Sequence, residues 1–113
     1  MSLTLRRTSD FVADFDRQHR WYLAEASDGV ARRYLDAVWQ TLEALADQPA
    51  IGRLRRFRHP SLKGLRSFRV HPPFDVHLIF YRYTDRELSA ERLMHGRRDL
   101  PRRLREPPGA PAD

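Results

Sequence analysis

The feature that most constrains the fold of this chain is an apolar stripe in its second quarter. The stripe residues recur every three or four positions, as on one face of a helix; they are Ala31, Tyr34, Leu35, Val38, Leu42 and Leu45. Ser27-Asp28-Gly29 offers capping groups before the stripe and Pro49 stops it, which predicts a helix over residues 29–48. A helix with one apolar face must bury that face against another element.

A first helix precedes this one. Thr8-Ser9-Asp10 offers capping hydroxyls ahead of Phe11, Phe15 and Tyr22, which recur at near-helical spacing and predict a helix over residues 10–26. A short strand over residues 3–7 is expected before it. Because only about three residues join the two helices, they must form an antiparallel hairpin whose stripes face a common partner.

Three strands are predicted in the second half of the chain, over residues 65–71, 74–84 and 88–95. The middle one is apolar on both faces, which is typical of a central strand. Residues 53–60 are basic and lack a clear period, so they are expected to form a loop or an edge segment. The order β-α-α-β-β-β predicts an α+β fold, with the helical hairpin on one face of a small, mostly antiparallel sheet and the other face open.

The length of 113 residues suits one domain, predicted over residues 1–100, followed by a Pro- and Arg-rich tail over 101–113 that is expected to be disordered. A mean hydropathy of −0.70 argues against a membrane protein. The first residues lack the organisation of a targeting peptide, so a cytoplasmic location is expected. The chain has no cysteine, and its histidines lack ligand spacing, so neither a metal nor a cofactor is expected.

Charge is divided unevenly along the chain. Residues 1–50 carry six Arg and eight acidic residues, a balance of −2, whereas residues 51–113 carry fifteen Lys or Arg and seven acidic residues, a balance of +8. A basic half of this kind suits nucleic acid or an acidic protein segment. Twenty of the twenty-one cations are Arg. Either selection for the guanidinium group or a codon-biased genome would explain this excess.

Several strings of the sequence, in this order and spacing, resemble the RelE/ParE toxin superfamily over about residues 3–100, and its ParE branch most closely. They are Ala31-Arg32-Arg33-Tyr34-Leu35, Pro49-Ala50-Ile51-Gly52-Arg53, Leu62-Lys63-Gly64-Leu65-Arg66, Leu78-Ile79-Phe80-Tyr81-Arg82 and His95-Gly96-Arg97-Arg98-Asp99-Leu100. The resemblance implies a growth-inhibiting toxin of a type II toxin-antitoxin system. It also implies a partner, the cognate antitoxin, typically with a ribbon-helix-helix half and a C-terminal segment that wraps the toxin.

The two branches of the superfamily imply different functions. RelE-like toxins cleave mRNA on the ribosome, whereas ParE-like toxins are known as inhibitors of DNA gyrase and not as nucleases. A metal-independent nuclease needs an acid-base pair and cations on one surface, for which Arg66, Arg69 and His95 are the candidates. Lys63 stands where RelE has a pair of lysines, and no Tyr follows Tyr83, so the ParE branch is favoured.

The residues expected to bind the target are Arg66, Arg69, Arg97 and Arg98, and those expected to bind the antitoxin are Trp21, Trp39, Arg53 and Arg56. Three residues near the end of the domain have a structural alternative. His95 can cap the last strand, and Arg98 and Asp99 can form a salt bridge that docks the C-terminal segment. A third function, a small RNA-binding or regulatory module, rests only on the basic charge.

Overall fold

The computed structural model describes residues 2–96 and 100–109. In chain order the helices and strands are β1 (Thr4–Arg7), α1 (Ser9–Glu25), α2 (Asp28–Asp47), β2 (Arg53–Leu54), β3 (Arg66–Arg69), β4 (His77–Tyr83), β5 (Glu87–His95) and α3 (Leu100–Arg105). The strands form one sheet in the order β1-β5-β4-β3-β2. β1 runs parallel to β5, and the other neighbours are antiparallel. The predicted α+β architecture is confirmed.

Local capping explains where the two long helices begin. The Thr8 hydroxyl accepts a hydrogen bond from the backbone N–H of Phe11 at 3.0 Å, and the Ser27 hydroxyl accepts one from Val30 at 3.1 Å. Each bond satisfies an N–H that the first turn of a helix leaves unpaired. Both helices therefore begin within one residue of their predicted starts.

The main core lies between the helical hairpin and one face of the sheet. The stripe of α2 contributes Tyr34, Val38, Leu42 and Leu45, which pack with buried residues of β4 and β5. Leu35 differs from the prediction, because 43% of it is exposed on the outer side of the hairpin. β4 is the middle strand of the sheet and is buried over His77–Tyr81, so the prediction of a central strand is confirmed.

The other face of the sheet carries a second, smaller core, so the prediction that this face is open was wrong. Its buried members are Leu62, Leu65, Leu78, Phe80 and Leu104. Leu104 belongs to α3, in a part of the chain where the sequence predicts disorder. The helix is held there by Leu104 and by a buried arginine of β5, Arg92, described below. Residues 110–113 lie outside the described residues.

The basic segment after α2, predicted to be a loop or an edge segment, begins with a short edge strand. Arg53–Leu54 forms a two-residue edge strand that pairs with Arg66 and Ser67 of β3. No helix in the described part of the chain is long and apolar enough to cross a membrane.

Candidate functional site

The exit of α2 is tied to the central strand by one side chain. The Tyr81 hydroxyl donates a hydrogen bond to the Pro49 carbonyl at 2.7 Å and accepts one from the Gly52 N–H at 2.9 Å. A Cβ atom on Gly52 would lie 2.2 Å from the Tyr81 hydroxyl oxygen, so the close approach requires glycine. Arg66 also donates to the Gly52 carbonyl at 2.8 Å. The Pro-x-x-Gly string is therefore a fixed corner that positions β2 and the basic segment after it.

A basic edge follows this corner. We use that name for Arg53, Arg55, Arg56, Arg58, Lys63, Arg66 and Arg69. Within residues 2–96 and 100–109, no carboxylate forms a salt bridge with any of these side chains. The edge therefore presents an uncompensated positive field.

Aromatic side chains support the arginines of the basic edge. The Arg55 guanidinium lies 5.4 Å from the Phe57 ring centroid and 6.0 Å from that of Phe80, and Arg66 lies 5.5 Å from Tyr83. Burial, and secondarily the charge of Arg53, lowers the pKa of Arg55. These contacts hold two of the guanidinium groups in place, whereas Arg53, Arg56 and Arg58 are exposed.

The three residues that a nuclease would need are not brought together. Arg66 pairs with Tyr81 and Arg69 with Leu78, so these arginines project from opposite faces of β3. His95 pairs with His77, four residues from Tyr81 along β4, which is about 13 Å at the rise of a strand. Arg97 and Arg98, the other predicted target-binding residues, lie outside the described residues, as does Asp99.

An apolar groove runs along the outer side of the helical hairpin. It has a volume of about 270 Å³ and is lined by Arg7, Phe11, Val12, Phe15, Asp16, Leu35, Val38, Trp39 and Leu42. Val12, Leu35 and Trp39 are each more than 40% exposed, and the Arg7 guanidinium lies 5.2 Å from the Trp39 ring centroid. We call this the hairpin groove. Its cluster of large exposed apolar side chains beside the edge strand β1 is typical of a protein-binding surface.

The predicted antitoxin-binding residues occupy three separate places. Trp39 lies in the hairpin groove beside β1, whereas Trp21 lines a different cavity near the end of β5 and is 55% exposed. Arg53 and Arg56 lie at the β2 edge, four strand spacings or about 19 Å from β1. A single partner that contacts the whole set must cross the molecule.

A polar cluster that the sequence did not reveal lies inside the main core. His77 is only 3% exposed, and its Nε2 lies 2.9 Å from the Tyr22 hydroxyl. The Tyr34 and His95 rings contact the His77 ring, with centroids 5.2 and 6.0 Å away. Burial, and secondarily the charge of His95, lowers the His77 pKa to about 4. The only signal in the sequence is a histidine that alternates with Ile79 and Tyr81 on one face of β4.

A buried ion pair joins α1, β5 and the C-terminal segment. Arg92 donates two hydrogen bonds to the Asp14 carboxylate, at 2.7 and 3.1 Å, and others to the carbonyls of Leu104 and Glu106. Asp14 also accepts a hydrogen bond from the Leu93 N–H at 3.0 Å. Each charged group is therefore paired and hydrogen-bonded, as burial requires.

The Asp14–Leu93 hydrogen bond lies along the part of β5 that does not pair with β1. β1 pairs with β5 only over Glu87–Ala90, so the rest of that edge faces α1. There the Thr8 hydroxyl donates to the Glu91 carbonyl at 2.9 Å, and Asp14 binds the next accessible N–H. Side chains of α1 thus take the place of a strand.

Within the described residues, no group of His, Cys, Asp or Glu could hold a metal ion.

Comparison with known proteins gives one family and several similar structures. Residues 5–100 match the sequence model described as the ParE toxin of the type II toxin-antitoxin system parDE. No curated protein matches the chain. The chromosomal ParDE TA system from P. aeruginosa is similar in structure, with a TM-score of 0.68 at 17% identity over 85% of this chain and 98% of that one.

Two other solved structures share the fold at lower similarity. A chain of the E. coli DinJ-YafQ toxin-antitoxin complex has a TM-score of 0.52 at 17% identity, over 84% of this chain and 93% of that one. A conserved hypothetical protein from Helicobacter pylori has a TM-score of 0.53 at 24% identity, over 82% of this chain and 93% of that one. At these identities the likeness concerns the fold alone.

Proposed function

The chain belongs to the ParE toxin family of type II toxin-antitoxin systems, and from this premise we propose that it arrests growth by binding and inhibiting DNA gyrase until a cognate antitoxin neutralises it. The observation that carries this proposal is the dispersal of the nuclease candidates. Arg66 and Arg69 project from opposite faces of β3, and His95, on β5, pairs with His77 at the other end of β4 from Tyr81, the partner of Arg66. General acid-base catalysis requires its groups within hydrogen-bonding reach of one reacting centre, so this arrangement favours binding over hydrolysis.

The basic edge is the part of the described surface best suited to the target. Its guanidinium groups are uncompensated, and arginine binds phosphates and carboxylates through paired hydrogen bonds. A complex of gyrase and DNA offers phosphates in abundance. We assign target contacts to Arg69 from this edge, and to Arg97 and Arg98, which follow β5 in the sequence. Arg66 is a supporting residue, since it is half-buried, binds the Gly52 carbonyl and packs on Tyr83. Arg69 also donates to a carbonyl, that of Asp75, but it is exposed.

The hairpin groove is the proposed docking site for the antitoxin. Its apolar side chains and its position along two helices suit the apolar face of an amphipathic helix. Acidic residues on the same partner segment would meet Arg7 at the groove and then Arg53 and Arg56 at the opposite edge. A ribbon-helix-helix antitoxin with an extended C-terminal segment has the reach for both.

The test measures both candidate activities of the same preparation. Purified toxin is titrated into a gyrase supercoiling assay, and mRNA integrity is followed in a translating extract. We expect inhibited supercoiling beside intact mRNA. Cleaved mRNA beside normal supercoiling would reject the gyrase proposal and support the ribonuclease alternative.

Matched variants locate the surface. The Arg69→Gln, Arg97→Gln, Arg98→Gln triple variant should inhibit gyrase at least tenfold less well. The control triple variant, Arg20→Gln, Arg32→Gln, Arg33→Gln, removes the same charge from exposed helical positions and should inhibit normally. Equal inhibition by the two variants would show that net charge, and not this surface, is responsible.

A further inference from the structure

A second depression, distinct from the hairpin groove and the basic edge, lies near the end of β5. We call it the terminal cavity. It has a volume of about 570 Å³, which is within the range of small-molecule sites. Residues of α1, of the ends of β4 and β5, and of the segment after α3 line it.

The inner wall of the terminal cavity carries polar groups that are buried and neutral. His77 and the Tyr22 hydroxyl bind each other, while the fully buried Tyr34 hydroxyl has no hydrogen-bond partner among the described residues. Burial lowers the His77 pKa to about 4 and raises the pKa of both tyrosines, so all three are uncharged at neutral pH. The Tyr34 hydroxyl is closed to solvent, so a ligand at this wall contacts the half-exposed Tyr22 side chain instead.

The outer wall is cationic. Arg17 and Arg103 line the cavity, and neither forms a salt bridge with a carboxylate in the described part of the chain. The two acidic residues of the lining are already engaged, Asp14 by Arg92 and Glu106 by Arg102. The field at the mouth of the cavity therefore favours an anion.

An aromatic side chain completes the wall. Trp21 is 55% exposed and meets the Tyr22 ring edge-on, with centroids 5.4 Å apart. A large indole left open to solvent beside a cavity provides a surface on which a planar ligand can stack. The terminal cavity thus combines an aromatic surface, neutral hydrogen-bonding groups inside and cations outside.

We propose that the terminal cavity binds a small heteroaromatic anion of the size of a nucleoside monophosphate. The ring system packs against Trp21 and Tyr22, while the anionic group binds Arg17 and Arg103. This site is independent of the gyrase proposal, because it includes none of the residues assigned to the target or to the hairpin groove.

The two tryptophans allow a direct test. In a Trp39→Phe variant, Trp21 is the only indole, so its fluorescence reports on the terminal cavity alone. The probes are the four common nucleoside 5′-monophosphates, the matching nucleosides and inorganic phosphate. We expect saturable quenching by at least one monophosphate, binding at least tenfold weaker for its nucleoside, and no quenching by phosphate.

Variants in the same background separate the two ends of the site. Tyr22→Leu removes the ring that the ligand contacts beside Trp21 and should weaken binding of the monophosphate about fivefold or more. Arg17→Gln should reduce the preference for monophosphate over nucleoside, whereas Arg20→Gln, an exposed change on the same helix, should leave it unaltered. The proposal is overturned if no monophosphate quenches Trp21 saturably, or if Arg17→Gln and Arg20→Gln bind it equally.

Discussion

Mild acid should destabilise this protein through His77. The buried imidazole has a pKa of about 4 in the folded chain, against about 6.5 for an exposed histidine. Between these values the unfolded chain binds a proton that the folded chain does not, so the free energy of unfolding falls as pH falls from 6.5 to 4 and levels off below. The full shift corresponds to about 3 kcal/mol, of which about 2 kcal/mol is lost by pH 5.

Urea unfolding at pH 7, 6 and 5, followed by circular dichroism, measures this loss. His77→Gln provides the control, because glutamine can still bond to the Tyr22 hydroxyl but does not titrate. The unfolding free energy of this variant should fall by about 2 kcal/mol less than that of the wild type between pH 7 and pH 5. All other titrating groups are common to both proteins and cancel in the comparison.

Parallel pH profiles for the two proteins would show that His77 does not cause the loss of stability in acid. A second measurement does not depend on the stability of the variant. An NMR titration of the wild-type histidines should show one imidazole that stays neutral to about pH 4.5. If all five histidines titrate above pH 6, the low pKa assigned to His77 is wrong.

Three further predictions concern single side chains. Tyr81→Phe should lower the free energy of unfolding by about 2–4 kcal/mol in urea titrations, because it leaves the Gly52 N–H and the Pro49 carbonyl unpaired. A loss below about 0.5 kcal/mol, the size expected of an ordinary surface substitution, would contradict the role of this corner. Asp14→Ala should cost about 3–5 kcal/mol by the same method, since it leaves Arg92 buried without its partner, and limited proteolysis should then cut after β5 sooner than in the wild type. Trp39→Ala should weaken binding of the cognate antitoxin about 30-fold or more in calorimetry, while thermal unfolding stays within about 2 °C of wild type; unchanged affinity would remove the hairpin groove from the interface.

Much of the fold was predictable because its signals are local. Each signal determines the structure of residues close to it in the sequence: the caps at Thr8 and Ser27, the α2 stripe, and the strand that is apolar on both faces. α3 was missed because its support comes from a distance. Arg92, twelve residues before Leu104, binds the end of that helix, and no composition rule reveals such a contact.

The candidate site was less predictable, for two different reasons. Arg66 and Arg69 are three residues apart on a strand, and an odd spacing places side chains on opposite faces, so their separation follows from the predicted strand itself. The cluster of Tyr22, Tyr34 and His77 could not be predicted. Its members come from α1, α2 and β4, and only the packing of the hairpin on the sheet brings them into contact.

The cover that α1 provides for β5 limits how a partner can extend the sheet. Thr8 and Asp14 bind Glu91 and Leu93, so this part of the β5 edge is closed to strand addition. The outer strands of the sheet are β1, with four residues, and β2, with two. An added strand on either forms only a few main-chain hydrogen bonds. Main-chain pairing is also indifferent to sequence. In the proposed complex, discrimination between a cognate and a foreign antitoxin would therefore rest on side chains, at the hairpin groove and at the arginines of the basic edge.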